Sequence, residues 1–425
     1  MGPYRKFRST RNWRNELVFW AGVAAVAWIA GLGGVRPVLA QGPVKIGFIY
    51  ADSGSLAQLG LDMRDGFLLY WSEVGNRAGG RAVEILTEGN TTSKVDEALT
   101  KARKLVERDG VHLLAGVTES PVAYALGPYV TEKKIPLIIL NAGADGLTQA
   151  RRSEYIFRSS TTGSQPGHPF GEWAYKQGGY RKAVIMASDF TAGYEQIGGL
   201  ARTFIEAGGR VIQEIYPPLG TADFAPFLTQ IKRDADVVMV FFAGADGLRF
   251  VNQYAEYGLK DRLPLIGLGW LVDEVILPKQ GDNALGIVTA LHWSAALDTP
   301  ANKRFIEAYA AKYKRPATIY SEQAYVGAQL IAKALDATKG NVENQRNFLD
   351  ELRKVEVDAP RGKVSLDSYH NVIHPIYIRR VEKRAGALQN TVIATYPNVG
   401  QFWKWAPEAY LAMPSYVEMK GKWTK

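Results

Sequence analysis

From Val44 onward, short runs of consecutive apolar residues alternate with longer stretches whose apolar positions recur every three or four residues. The first runs are "VKIGFIY", "RAVEILTEG", "VHLLAGV" and "IPLIILNAG". Between them lie "GLDMRDGFLLYWSEVG", "SKVDEALTKARKLVERDG" and "SPVAYALGPYVTEKK". Near-continuous apolar strands separated by amphipathic helices predict a parallel sheet covered on both faces. At "YIFRSSTTGSQPG" (155–167) the rhythm gives way to small polar residues. It then restarts, with "KAVIMAS", "RVIQEIY", "VVMVFFA" and "LPLIGLG" as strands and "YEQIGGLARTFIEAGG", "FAPFLTQIKRDAD" and "GLRFVNQYAEYG" as helices.

A phrase is repeated across the two halves: "AGGRAVEIL" from Ala78 and "AGGRVIQEI" from Ala207. Each copy reads as a helix C-terminus with glycine, where a left-handed backbone is easily reached, followed by the next strand. The phrase is therefore expected to mark the same corner in two similar α/β lobes. After "GIVTALHWS" come two strong helical patterns, "ANKRFIEAYAAKYK" and "SEQAYVGAQLIAKALDAT", which open no new cycle and are expected to complete the first lobe. On that reading the chain crosses between lobes near 156–162, 287–294 and 361–370, which makes a hinge rather than a loose linker. The predicted division is a signal peptide at 1–40, an N-terminal lobe of 41–159 with 291–365, and a C-terminal lobe of 160–290 with 366–425. The aromatic-rich tail "NVGQFWKWAPEAYLAMPSYVEMKGKW" is expected on the surface of the second lobe.

The first forty residues change the charge balance. A basic start (Arg5, Lys6, Arg8, Arg11, Arg14) precedes the apolar run Leu17 to Gly34, and "VLAQ" puts Val38 and Ala40 at the small-residue positions of a secretory cleavage site. The run is also about long enough to span a membrane, but Gly31, Gly33, Gly34 and Pro37 favour cleavage and export. Removing this segment leaves 45 basic against 41 acidic residues, a net charge of +4 rather than +9. No dense Lys/Arg block remains to suggest a nucleic-acid partner. Cysteine is absent, which excludes disulfides, thiol catalysis and Cys-ligated zinc, so the 425-residue chain must rely on packed cores.

Little points to catalysis. "HNVIH" (370–374) has a metal-binding spacing only if helical, and it reads as strand, where residues four apart stand about 13 Å apart. No nucleophile elbow, Walker loop or dinucleotide fingerprint is present. Asp189, Asp246, Asp273 and Glu274 stand at strand ends where a glycosidase-like pair could lie, yet caps and surface acids account for them more simply. No cofactor and no metal are expected.

Ligands of open α/β sheets bind beyond the carboxyl ends of the strands. There "AGVTESP" places Ser120 as an N-cap before Pro121, offering a hydroxyl and the positive end of a helix to a carboxylate. Thr118 and Glu119 precede it, and the turn Asn141-Ala142-Gly143 could bring further backbone donors close.

The order of "VKIGFIYADSGSLAQLG", "DGVHLLAGVTES", "KKIPLIILNAGA", "SDFTAGYEQ" and "YSEQAYVGAQLIAKAL" resembles ABC-transporter periplasmic solute-binding proteins of the leucine/isoleucine/valine type. The resemblance covers nearly all of the chain after residue 40. It implies a type I periplasmic binding fold, two Rossmann-like lobes with parallel sheets joined by a three-crossover hinge, closing on a small molecule delivered to a permease. It carries the family's ligand-carboxylate serine onto Ser120 and the amino-acid head-group turn onto Asn141, Ala142 and Gly143, which has no hydroxyl. It places the counterparts of the family's two second-lobe tyrosines near Ala192 and Ala243, with Phe190 and Tyr194 adjacent to the first, and lining positions at Leu59, Trp270 and Tyr320. The acid that pairs with a ligand ammonium falls at about Gly269. A buried ammonium without a counter-ion is costly, so this departure argues for an organic, aromatic carboxylate, as in the branch of the family that binds benzoate-like acids. Asp246, Asp273 or Glu274 are the candidate replacements for the missing acid. The alternatives are a branched-chain or other amino-acid or amide binder of the same fold, a sensory module, and an enzyme. A monomer is expected.

Overall fold

Val44, Ile46 and Phe48 point to one face of a strand and Ile49 to the other, and all four are fully buried. A strand buried on both faces needs helices on both. The computed structural model describes residues 42–424 and the isolated Gly2, so the expected signal segment and its junction at Ala40 lie outside the described residues. From Pro43 onward the chain is one packed unit.

The first sheet runs β2 (Arg77–Ala78), β3 (Arg81–Thr91), β1 (Val44–Ser53), β4 (Leu113–Gly116), β5 (Leu137–Ile139), β6 (Ile156–Arg158), parallel apart from the β2–β3 hairpin. It is flanked by α1 (Ala57–Glu73), α2 (Val95–Arg103) and α3 (Ser120–Lys133). The second lobe carries α4 (Gly167–Lys176), α5 (Thr191–Glu206) and α6 (Gly244–Glu256). Its sheet runs β12 (Val357–Ala359), β13 (Gly362–Leu366), β14 (Val372–Arg384), β11 (Val288–Leu291), β10 (Leu265–Leu268), β9 (Val237–Phe241), β7 (Lys182–Ala187), β8 (Arg210–Ile215), with β15 (Ala387–Val399) paired to β14. Strands β7 to β11 are parallel; β14 joins antiparallel. Two lobes of α/β architecture follow, as the alternating pattern predicts. Helices α7 (Pro300–Tyr313) and α8 (Ile319–Ala337) return to the first lobe, and α8 lies so close to α1 that a Cβ on Gly66 would stand 2.0 Å from the Ser321 carbonyl oxygen.

Three expectations change. In the first copy of the repeated phrase, Gly79 and Gly80 (φ 57° and 80°) turn the β2–β3 hairpin, because α1 already ends at Glu73; only the second copy, with Gly208 at φ 113°, joins a helix to a strand. The helix foreseen over 224–236 is confined to Ala225–Leu228. Gln213 of β8 takes the Gln230 carbonyl and the Lys232 amide, groups that a longer helix would use internally. The tail is core rather than surface cover: Phe402, Tyr410, Tyr416 and Trp423 are buried with the second sheet, and the Tyr416 hydroxyl lies 2.7 Å from His168 Nε2. The long β14–β15 hairpin and the helix Gln345–Leu352 were not legible in the pattern.

Where the chain passes between lobes, one arginine gathers the strands. Arg361 donates from Nε and Nη2 to both oxygens of Glu322 on α8, at 2.9 and 2.5 Å, and from Nη1 to the carbonyls of Ser159 and Ser160. Both partners of this ion pair are wholly buried. Removing one partner of such a pair strands a charge in a low-dielectric interior. Glu322→Ala is therefore expected to lower stability by about 3–5 kcal/mol in denaturant unfolding. A loss below about 1 kcal/mol, the size of an exposed pair, would contradict it.

Candidate functional site

The carboxyl end of β4 leads through Thr118 and Glu119 into α3. The Thr118 hydroxyl accepts the Ala51 amide at 3.0 Å, tying this turn to the end of β1. Glu119 spends its carboxylate on the Ser93 amide, 3.0 Å from each oxygen. Ser120 is not the N-cap foreseen: the cap residue is Glu119, with extended backbone, and Ser120 is the first helical residue. Its hydroxyl accepts the Ala144 amide at 3.1 Å. That bond occupies one lone pair and leaves the O–H free to donate, beside the unsatisfied amides of the helix start.

The 141–144 turn is shaped by side chains from afar. Asn141 donates to the Thr118 carbonyl at 2.7 Å and accepts from Gln323 of α8. Gly143 accepts the Gly163 amide at 2.7 Å through its carbonyl. Buried Arg158 donates to the carbonyls of Ala142, Ala144 and Thr161, binding the turn to the first crossover. Burial pulls its pKa down to about 10.

The second lobe carries a row of aromatic rings. Phe190 and Phe241 have ring centroids 6.4 Å apart, and Phe241 and Trp270 6.0 Å. Trp270 and Leu59 pack on the cluster that holds buried Tyr320. Leu59, Trp270 and Tyr320 thus come together from both lobes, and α8 carries Tyr320 at its start and Gln323 one turn on, joined to Asn141. Ala243 is half-buried beside Phe190 and Trp270 on the second-lobe core. Tyr194 stands apart: its hydroxyl donates to Asp189 at 2.5 Å, and Lys420 of the tail lies 4.7 Å over its ring. Two surface depressions lie elsewhere, one lined by Tyr180, Lys260, Asp261 and Asn283, the other by Ser93, Lys94, Asp96 and Glu97.

Gly269 is the informative position. A Cβ there would stand 2.3 Å from Arg379 Nη2 and 2.6 Å from Leu291 Cβ, so the space an acidic side chain would enter holds a guanidinium. Arg379, fully buried on β14, donates to the carbonyls of Gly269 and Trp293 and to the Thr289 hydroxyl. Of the candidate replacement acids, Asp246 is committed to the Gly220 amide and Arg249. Glu274 accepts from Asn390 and stands 4.0 Å from Arg379. Asp273 is buried and accepts the amides of Val275 and Ile276. Burial, and after it the neighbouring Glu274, pushes the Asp273 carboxyl up to about 7. Burial and then Asp273 likewise hold the Tyr320 phenol well above its usual range. Among these, Phe241, Arg158 and Arg379 escaped the sequence reading; an arginine or an aromatic inside an apolar strand is the only local signal they leave.

Metal chemistry finds no frame: among the described residues no group of three or more His, Asp or Glu is placed to hold an ion. His370 stacks on Phe157 at 4.1 Å, while His374 stacks on His292 at 4.9 Å and meets Arg361.

Residues 43–387 match the family described as periplasmic binding protein. The chain belongs to that family. It is 31% identical over 364 residues to Leu/Ile/Val-binding protein homolog 6 of Brucella melitensis, covering 84% of this chain and 92% of the relative. An ABC transporter substrate-binding protein from Sphaerobacter thermophilus superposes with a TM-score of 0.82 at 37% identity, over 84% of this chain and 98% of that one. A Rhodopseudomonas palustris solute-binding protein of an ABC transporter, in complex with 3,4-dihydroxybenzoic acid, gives 0.79 at 32% identity over the same shares. The family binds solutes for ABC transporters and is not an enzyme family, and its place is the periplasm.

Asp273 sets a pH test. Its folded pKa lies above the unfolded one, so its stabilising contribution is complete below the ordinary carboxylate range and is lost as pH rises towards about 7. Asp273→Asn keeps the bonds to the Val275 and Ile276 amides without the charge. At about pH 8 the variant should be more stable than the parent by on the order of 2 kcal/mol, with the difference shrinking towards about pH 4. Parallel stability curves in denaturant titrations across this range would contradict it.

Proposed function

We propose that this protein is the periplasmic solute-binding component of an ABC importer, and that its ligand is a small aromatic carboxylate. The observation that carries the reading is the pairing of Gly269 with Arg379. Where an ammonium-binding acid would stand there is no side chain, and a buried guanidinium fills the space. A ligand ammonium placed there would face a cation, whereas an uncharged ring meets Phe190, Phe241 and Trp270. At the other end, the free Ser120 O–H and the start of α3 suit a carboxylate, since charge-assisted bonds to helix-start amides stabilise anions. The dihydroxybenzoate complex of the Rhodopseudomonas palustris relative supports the same ligand class.

Transfer to a membrane permease, export on a cleaved leader and action as a monomer complete the proposal. The permease would select the closed form that ligand stabilises.

A branched-chain amino acid is the second reading, favoured by Asp273 and Glu274 near Tyr320 and by the name of the Brucella melitensis relative. Against it, Asp273 holds its proton up to about 7 and Glu274 is already bonded to Asn390.

Thermal denaturation with 4-hydroxybenzoate, benzoate, leucine and isoleucine separates the two. At about 100 times its Kd a ligand adds about 2.7 kcal/mol of stability. Stabilisation is expected from the aromatic acids; stabilisation by leucine or isoleucine alone would reject the assignment. Ser120→Ala should weaken the stabilising acid by about 1–3 kcal/mol in calorimetric titration and, because the buried Ala144 amide loses its acceptor, should also lower the unfolding stability by about 1–3 kcal/mol. Unaltered affinity would remove Ser120 from the ligand.

A further inference from the structure

Two carboxyl groups outside the site approach Gly163 of the first crossover. Asp145 follows the 141–144 turn of the first lobe, and Glu195 lies in α5 of the second. Between them runs Gly163. The point where its Cβ would stand is 3.3 Å from Glu195 Oε2 and 3.4 Å from Asp145 Oδ1. Both side chains are only 6% exposed. Asp145 Oδ1 accepts the Ser164 amide at 3.1 Å, while Glu195 Oε2 is buried with no hydrogen-bond partner.

The groups facing this pair leave its charge only partly compensated. Arg158 from β6 is the cation at hand, but its Nη1 and Nη2 donors go to the carbonyls of Ala142, Ala144 and Thr161. From α3 comes Tyr124, with Arg151 stacked 4.8 Å from its ring. From the tail comes Tyr410, 3.4 Å from the Ser164 hydroxyl, with Arg202 of α5 over its ring at 5.7 Å. Asp367 adds a further acid near Arg158. Two ionised carboxylates here would outnumber the one arginine, and an ionised Glu195 would keep a buried oxygen without a donor.

We propose that Asp145 and Glu195 share one proton across the two lobes, and that taking up this proton is coupled to lobe closure. Burial, and then the Asp145 charge, holds the Glu195 carboxyl well above its ordinary range, against the weaker opposing pull of the Asp145 amide and Arg158. On this proposal, opening the lobes would return Glu195 to water and to ordinary acidity. A group whose pKa is raised in the closed form favours that form below the open-state pKa, and the preference is lost as pH rises through the closed-state value. The inference rests on lobes that close and is independent of what they close upon.

The test needs no ligand. Since the chain lacks cysteine, Thr100→Cys and Lys279→Cys place one spin label on each lobe, and pulsed EPR reads the interlobe distance from about pH 5 to about pH 8. The short-distance population of the parent should fall with rising pH, by up to about tenfold per pH unit for one coupled proton. Glu195→Gln, which keeps a neutral donor in place, should hold a larger short-distance population at about pH 8 and show a shallower dependence; Asp145→Asn should flatten it likewise. Asp273 remains in every variant, so slopes are compared rather than absolute values. A pH-independent distance in the parent, or folded variants with the parental slope, would overturn the proposal. A flat parental titration overturns the proposal even where a variant does not fold, and where only one carboxyl variant folds its slope decides.

Discussion

Backbone polar groups that leave a sheet must find partners, and at the join between the lobes those partners are buried arginines. Strands satisfy each other's carbonyls only while they run together; at a crossover the ladder stops and carbonyls turn inward without a donor. Arg158 serves Ala142, Ala144 and Thr161; Arg361 serves Ser159 and Ser160; Arg379 serves Gly269 and Trp293. Each is wholly buried. A guanidinium suits this task because its five donors spread in a plane and remain charged under deep burial. An isolated buried carbonyl costs about 1–3 kcal/mol, so several satisfied by one side chain offset much of that ion's desolvation.

This arrangement explains why the hinge and the site are one structure. The turn that Arg158 anchors supplies the amide bonded to Ser120, and Arg379 lies directly beneath Gly269. Displacing either arginine would move a crossover and a wall of the site together. The aromatic wall, by contrast, grows from strand ends: Phe241 closes β9, and Phe190 and Trp270 follow β7 and β10, so sheet register alone brings their rings into line.

How much of this could be read along the chain depends on the range of each interaction. Strands and most helices were legible because burial on both faces writes a run of apolar residues and burial on one face writes a periodic one. Two lobes followed from the restart of the rhythm after Tyr155. What failed was decided by partners distant in sequence. Gln213 takes the groups that would extend the 225–228 helix, and Tyr416 reaches His168 across more than 200 residues. In the site, the Ser120 neighbourhood was legible because a helix start after a strand is a local feature. Arg158, Arg379 and Phe241 were not, since nothing beside them in the sequence states which carbonyl or ring they meet.

The same reasoning bears on ligand charge. A position that holds a side chain in an amino-acid binder can change selectivity in two ways: by losing the acid, or by admitting a cation in its place. Loss alone would leave a gap that water or a rotamer could fill. Here the gap is closed, because Arg379 Nη2 and Leu291 Cβ both stand inside the contact distance of any Cβ at 269. Restoring an acid would require Arg379 to give up its bonds and β11, which carries Leu291, to move, and β11 is held by β10 on one side and by β14 on the other. Exclusion of a side chain from position 269 is thus a property of the sheet rather than of the residue at that position alone.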